Sequence, residues 1–124
     1  MFEQNIVFLE RAVQNRALIR PIARHRLPDG KLDVEGNLRL WNTAMEPFEK
    51  IPLWGEPVCD GELQGEPCLI PVPVGGRQEK PVILIAHGGG FRWRTDCEAA
   101  NIAWRFHQMG YPTAMLAYRL TPCT

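Results

Sequence analysis

Three consecutive glycines, Gly88, Gly89 and Gly90, follow His87 directly after an apolar run. Glycine accepts positive φ angles and lets the backbone approach a ligand closely. Consecutive backbone amides between a strand and a helix also favour a negatively charged group. The segment therefore indicates a binding site for a negatively charged group, either a nucleotide phosphate or an oxyanion that forms during a reaction.

The spacing around the glycines disfavours a nucleotide. A P-loop needs Gly-x-x-x-x-Gly-Lys-[Ser/Thr], and neither lysine nor serine follows the glycines in this chain. The dinucleotide pattern Gly-x-Gly-x-x-Gly fails because Trp93 occupies the third glycine position, where an indole would obstruct close packing of helix on strand. The cysteines and histidines show no metal-ligand spacing. We therefore expect neither an organic cofactor nor a metal ion.

The elements that must position the glycines are predicted by local patterns. Residues 82–86 form a continuous apolar run, which predicts a strand buried on both faces. Residues 95–98 fit a capping box, so a helix is expected over about 96–109, with Gly110 as its C-terminal glycine. A second apolar strand follows at 113–118. The order strand, helix, strand predicts a crossover between parallel neighbours.

The first part of the chain is less regular. Residues 2–20 predict an amphipathic helix, because apolar residues recur on one face, namely Phe2, Ile6, Leu9 and Val13. Residues 28–65 contain turn signals, including Glu35-Gly36-Asn37. Prolines throughout 47–81 argue against a long helix or a central strand, so we expect short edge strands, with 68–70 and 72–74 as candidates.

Composition excludes several classes of function. The chain has 124 residues, enough for one domain, and its 14 basic and 14 acidic residues give zero net charge. A nucleic-acid-binding protein would show a basic surplus, so no nucleic-acid partner is expected. No apolar run reaches the roughly 18 residues of a membrane span. The N-terminus has neither a basic nor a long apolar leader segment, which predicts a cytoplasmic protein.

The glycine segment in this context resembles the oxyanion motif of a known superfamily. His87-Gly88-Gly89-Gly90-Phe91, between a buried strand and a capped helix, is similar to the HGGG motif of esterases and lipases in the α/β-hydrolase superfamily. Tyr118-Arg119-Leu120-Thr121-Pro122 resembles the segment that closes the next strand in many esterases. Residues 51–57 and Glu98 are similar to features of the acetyl-xylan-esterase-like subgroup, although Gly55 replaces a proline. The likeness runs from about 81 to 122.

The resemblance implies a fold and a set of roles. The fold would be the N-terminal part of an α/β-hydrolase, with a mostly parallel sheet, divided into a helical and turn-rich arm at 1–50 and a core segment at 51–124. The amides of residues 88–90 would stabilise the oxyanion, with Gly89 as the best single choice, while His87 would fix the loop. Phe91 and Trp93 would line the acyl pocket. The substrate would be a small ester, either short-chain or an acetylated sugar.

The catalytic nucleophile of that superfamily is missing from these residues. The sequence contains no serine and no Gly-x-Cys-x-Gly elbow. In this fold the nucleophile, acid and histidine all follow the strand that would end at 118. We therefore expect a chain truncated after that strand and inactive alone. The alternative is a non-catalytic degenerate half that serves binding or assembly. In the sheet of that superfamily the strand at 82–86 would also pair with a strand that these residues do not contain. Its unpaired edge predicts self-association of the chain by itself, unless a partner supplies the missing strand.

Overall fold

The computed structural model of the chain describes residues 2–14, 26–53, 67–75, 80–90, 92, 94 and 96–120. These ranges contain, in chain order, α1 (Gln4–Gln14), α2 (Val34–Met45), β1 (Ile51–Pro52), β2 (Cys68–Val72), β3 (Ile83–Ala86), α3 (Asp96–Gln108) and β4 (Thr113–Ala117). The helices and the four-stranded sheet confirm the predicted α/β class. Within the described ranges, no helix is both long enough and apolar enough to cross a membrane.

β4 lies inside the sheet, whose strand order is β1-β2-β4-β3. It pairs in parallel with β3, with Ile83 opposite Thr113, and antiparallel with β2. β1 pairs antiparallel with the start of β2. The predicted parallel pair and its intervening helix are thus confirmed, with α3 running from Asp96 to Gln108. Parallel pairing is confined to β3 and β4, so the described sheet is mixed.

The C-terminal end of α3 follows the pattern predicted from Gly110. This glycine has a φ of 88° and its amide donates to the carbonyl of His107 over 2.9 Å, while the amide of Tyr111 donates to the carbonyl of Phe106 over 3.0 Å. These are the two hydrogen bonds of a Schellman motif, and the rings of Phe106 and Tyr111 add its usual apolar contact. The side chains of the predicted capping box at the other end lie outside the described residues.

The side chain of Lys80 caps the same end of α3, although Lys80 lies 29 residues before Met109 in the sequence. Its Nζ donates to the carbonyl of Met109 over 2.7 Å and lies 4.6 Å from the ring centroid of Tyr111. A cation is favourable there because the last carbonyls of a helix carry partial negative charge. The lysine that precedes β3 in sequence is therefore held at the end of α3.

α2 occupies a segment in which we predicted turns, and that prediction is wrong. Asp33 caps the helix, because its Oδ1 accepts from the amide of Gly36 over 2.9 Å. A Cβ at Gly36 would fall on the Asp33 carboxylate, so the glycine belongs to the cap and not to a turn. Buried residues then recur at helical spacing, namely Asn37, Leu38, Trp41, Ala44 and Met45.

β2 is one continuous strand with neighbours on both sides, whereas two short edge strands were predicted. Pro71 lies within it, opposite Ala114 of β4, while β1 reaches only Cys68 and Leu69. The carbonyl of Pro71 accepts from Nδ2 of Asn5 over 2.8 Å, so it points away from β4. The amide and carbonyl of one strand residue point to the same side. The missing proline N–H therefore faces the side beyond β1, where no described strand pairs with Pro71.

α1 is confirmed as an amphipathic helix over Gln4–Gln14, and residues 15–20 of the prediction lie outside the described ranges. Leu9 is fully buried, and Ile6 and Val13 pack partly buried against the same core. Asn5 is also fully buried, and its amide group bonds to both the amide and the carbonyl of Glu49 as well as to β2. The satisfied amide group ties the helix to two later parts of the chain.

The strand register divides the side chains of the sheet between two faces. On one face, Ile70 of β2, Met115 of β4 and Ile85 of β3 lie side by side and are buried. α1 packs against β2 and α3, and α3 packs against β3 and β4. Leu9 and Trp41 join the same core. The core thus combines residues from both of the predicted segments.

The opposite face, here called the open face, is largely uncovered within the described ranges. The register places on it Ile51, Leu69, Leu84, Ala86 and Leu116, all apolar. Leu84 is 60% exposed. The prediction that 82–86 is buried on both faces is therefore wrong, because alternate side chains of β3 point away from the helices that cover the other face.

Candidate active site

The glycine loop, residues 87–94, connects the carboxyl end of β3 to the start of α3. Gly89 has a φ of 131° and Gly90 a φ of 61°, a region that residues with a side chain rarely adopt. The amide of Arg92 donates to the carbonyl of Gly89 over 3.1 Å, which closes a tight turn. A Cβ at Gly90 would meet no neighbour, so backbone conformation and not space demands glycine there.

The backbone amides of the glycine loop are potential hydrogen-bond donors to a ligand. Counting only described residues, the amides of Gly89 and Gly90 donate to no other group. The amide of Gly110, by contrast, is occupied by the carbonyl of His107. The loop thus presents adjacent donors ahead of a helix whose N-terminus carries partial positive charge. Such an arrangement can bind an oxygen that carries negative charge.

His87 begins the loop and is only 3% exposed. Its Nδ1 lies 2.7 Å from the carbonyl of Gly88, and a carbonyl only accepts, so Nδ1 carries the proton. The imidazole stacks on the ring of Tyr118 with centroids 4.5 Å apart and planes 12° apart. The Tyr118 hydroxyl donates to the carbonyl of His87 over 2.7 Å. Tyr118, which directly follows β4, thus holds His87, which directly follows β3.

Arg94 lies at the other end of the loop and is 1% exposed. Its Nη2 donates to the carbonyl of Tyr118 over 3.1 Å, and its guanidinium lies 5.7 Å from the ring centroid of Trp41. Burial lowers the pKa of Arg94 to about 10, so the group remains charged at neutral pH. A buried cation therefore fixes the end of the loop from inside the protein.

The structure brings together only part of the predicted site. His87 and the three glycines lie on one loop, and Tyr118, which the resemblance placed at the end of the next strand, contacts that loop. Phe91 and Trp93, the predicted acyl-pocket residues, lie outside the described residues, as do Thr121, Pro122 and most of 51–57. Sequence reasoning missed the contacts of α2 with the loop. The capping residue Asp33 was the signal that could have revealed that helix.

Comparison with known proteins gives one structural likeness. No protein-family model matches the chain, and no curated protein matches it. The chain resembles the solved structure of an acetyl ester-xyloside bifunctional hydrolase from Caldicellulosiruptor lactoaceticus, with 27% identity and a TM-score of 0.52. The match covers 60% of this chain and 29% of that chain. The likeness supports a hydrolase in general terms, and it extends over less than a third of the neighbour's length.

Proposed function

We propose that the glycine loop is the oxyanion hole of a carboxylic-ester hydrolase of the α/β-hydrolase type. The observation that carries the proposal is the pair of adjacent amides, Gly89 and Gly90, held at positive φ between β3 and α3 with no donor bond to a described residue. The likeness to an acetyl ester-xyloside hydrolase supports the same reading. His87 acts by holding the loop in shape.

The proposed reaction proceeds through an acyl-enzyme. A serine hydroxyl attacks the ester carbonyl, its proton passes to a histidine base, and the carbonyl oxygen becomes an oxyanion that the loop amides stabilise. The proton then passes to the departing alcohol, and water hydrolyses the acyl group. One oxyanion donor is typically worth ~10²–10³ in kcat. We place the serine, the acid and the base outside these 124 residues, which contain no serine.

We propose short-chain or acetylated-sugar esters as substrates, because the structural neighbour is named for an acetyl ester and a xyloside. The acyl-pocket roles of Phe91 and Trp93 stay predictions. So do the division of the chain at residue 50 and the cytoplasmic location.

Binding of a tetrahedral anion tests the oxyanion hole without requiring a nucleophile. Methyl methylphosphonate has the charge and shape of the intermediate formed from an acetyl ester. Titrated into the ¹⁵N-labelled chain, it is expected to shift the amide resonances of Gly89 and Gly90 in a saturable way. The amide of Gly110, already bonded within the helix end, serves as the internal control. Equal shifts at all three glycines, or none, would contradict the proposal.

A second candidate function is an assembly module without catalysis of its own. The open face favours it because it offers apolar surface. The outer edge of the uncharged strand β3 also favours it, because no strand among the described residues pairs with its backbone groups there. We propose a second copy of this chain as the occupant of that edge. The zero net charge of the chain imposes no long-range repulsion between copies. Lys80, which could guard the edge, is bound to the end of α3.

A further inference from the structure

Asn37 of α2 is joined to the glycine loop by two hydrogen bonds. Its Nδ2 donates to the carbonyl of Arg94 over 2.7 Å, and its Oδ1 accepts from the amide of Arg94 over 2.9 Å. Both residues are 1% exposed, and 57 positions separate them in sequence. One side chain thus satisfies both backbone groups of the loop's last described residue before α3.

Trp41 stands one helical turn after Asn37, on the same face of α2. Its ring centroid lies 5.2 Å from that of His87 at the start of the loop, and its ring also faces the guanidinium of Arg94. α2 therefore contacts the loop at its first residue and at residue 94. The glycines that carry the proposed donors lie between these two fixed points.

Tyr118 contacts the same two residues, His87 and Arg94. It bonds and stacks on His87, and its carbonyl accepts from Arg94. Both ends of the glycine loop are thus held by α2 and by the residue after β4. Glycine amides at positive φ have wide conformational freedom, so their positions depend on how firmly these ends are held.

We infer that Asn37 is a positioning residue for the proposed oxyanion hole. It sets the direction of the loop amides through Arg94 and touches no substrate itself. The inference rests on the proposed function, because it assigns a residue outside the glycine motif to the same site. It also gives α2 a role in the site, although the sequence predicted turns in that segment.

The chemistry of the pairing requires a side chain that donates and accepts at once. A carboxamide does both, whereas an ionised carboxylate only accepts and would face the carbonyl of Arg94 with a second oxygen. A protonated carboxyl again offers one donor and one acceptor in nearly the same shape. Asn37→Asp therefore provides a switch that pH can reverse.

The experiment compares the wild-type ¹⁵N-labelled chain with Asn37→Asp and with Asn101→Asp, the same change at an exposed position of α3. Amide spectra and the affinity for methyl methylphosphonate, a monoanion throughout the range, are measured from about pH 8 to pH 4. Titratable groups on the elements that contact the pairing are Arg94, His87, Tyr118 and Cys68, together with Asp33 and the exposed Glu35 at the start of α2. The wild-type titration accounts for these groups, which all three proteins share.

For Asn37→Asp at high pH, the amides of Gly89, Gly90 and Arg92 are expected to shift and the anion affinity to fall about tenfold, the scale of one hydrogen bond. Acidification should restore both. Asn101→Asp should match the wild type throughout. The inference would be overturned if the loop amides of Asn37→Asp at high pH gave the same resonances as the wild type. It would also be overturned if acidification did not reverse the changes.

Two further outcomes are decisive. If the wild type binds no anion while the loop amides of Asn37→Asp shift reversibly, the proposed oxyanion function fails and the positioning role stands. Asn37→Ala removes both bonds without adding charge, and it should also move the loop amides in a folded protein. Loss of the whole fold in both variants would overturn the inference, because Asn37 would then support the core in general and not the loop.

Discussion

The hydroxyl of Tyr118 donates to the carbonyl of His87 over 2.7 Å while the two rings stack 4.5 Å apart. One residue follows β4 and the other follows β3, so the contact joins two parallel strands just beyond their last ladder pair. It also fixes the residue at which the glycine loop begins. Tyr118 thus links the end of the sheet to the candidate site.

Removal of that hydroxyl should destabilise the protein by a modest amount. Tyr118→Phe keeps the stacked ring and loses one partly buried hydrogen bond, so the free energy of unfolding should fall by about 1 kcal/mol. Tyr111→Phe is the matched control, because no hydrogen bond of its hydroxyl is found among the described residues. Urea unfolding should give a lower midpoint for the first variant alone. Equal midpoints would show that the Tyr118 hydroxyl contributes nothing.

The 124-residue chain should hydrolyse an activated acetyl ester no faster than buffer does. An oxyanion hole stabilises charge that a nucleophilic attack must first create, and the chain has no serine to attack. Release of p-nitrophenol from p-nitrophenyl acetate measures this directly. A fluorophosphonate probe provides the second test, since covalent labelling at the rate of an active-site serine would contradict the prediction.

Gly90→Ala should destabilise the chain although the added Cβ would contact no neighbouring atom. The φ of 61° at Gly90 costs a residue with a Cβ about 1–2 kcal/mol. Gly75→Ala is the control, because Gly75 also has open space around it and its φ is not positive. That change should be neutral or slightly stabilising. Urea midpoints that fall equally for both variants would remove backbone conformation as the cause.

Stability should decline in mild acid through His107. Burial lowers the pKa of His107 below its ordinary value of 6.5, and its ring stacks on Trp104. Between these two values the unfolded chain binds the proton and the folded chain does not, so stability is lost as pH falls through 6.5 towards the folded pKa. His107→Gln should show a smaller loss of unfolding free energy between about pH 7.5 and pH 5. Parallel pH profiles for the two proteins would refute this.

The chain should self-associate through the β3 edge. Leu84→Lys places a charge on the open face beside that edge and should shift the mass measured by light scattering after size exclusion towards the monomer. Val7→Lys, at a residue of α1 that is 52% exposed, is the control and should leave the mass unchanged. A wild-type monomer that persists at high concentration would refute the assembly module.

The parts of the fold that sequence predicted are those with local causes. The end of α3 at Gly110 could be predicted because this glycine and the helix carbonyls that its turn satisfies lie within five residues of each other. The parts that were missed depend on contacts across long stretches of chain. Pro71 can occupy an inner strand only because β1 stops short of it. Gly36 is an exception, because its capping partner Asp33 lies only three residues away and the local signal for a helix was mistaken for a turn.

The candidate site divides in the same way. Its glycines were singled out by their type, by their place between a predicted strand and a predicted helix, and by the resemblance to the HGGG motif. The pairing of Asn37 with Arg94 could not be, because no local pattern relates residues 57 positions apart.

The sheet order also constrains when the protein can fold during synthesis. β2 and β3 are not neighbours, and each pairs with β4, which follows both of them along the chain. Until β4 has been made and released from the ribosome, the apolar segments of β2 and β3 lack the strand that joins them. The β2, β3 and β4 ladders can close only once residues 113–117 emerge. A chaperone that binds extended apolar segments would therefore meet this chain before its sheet exists.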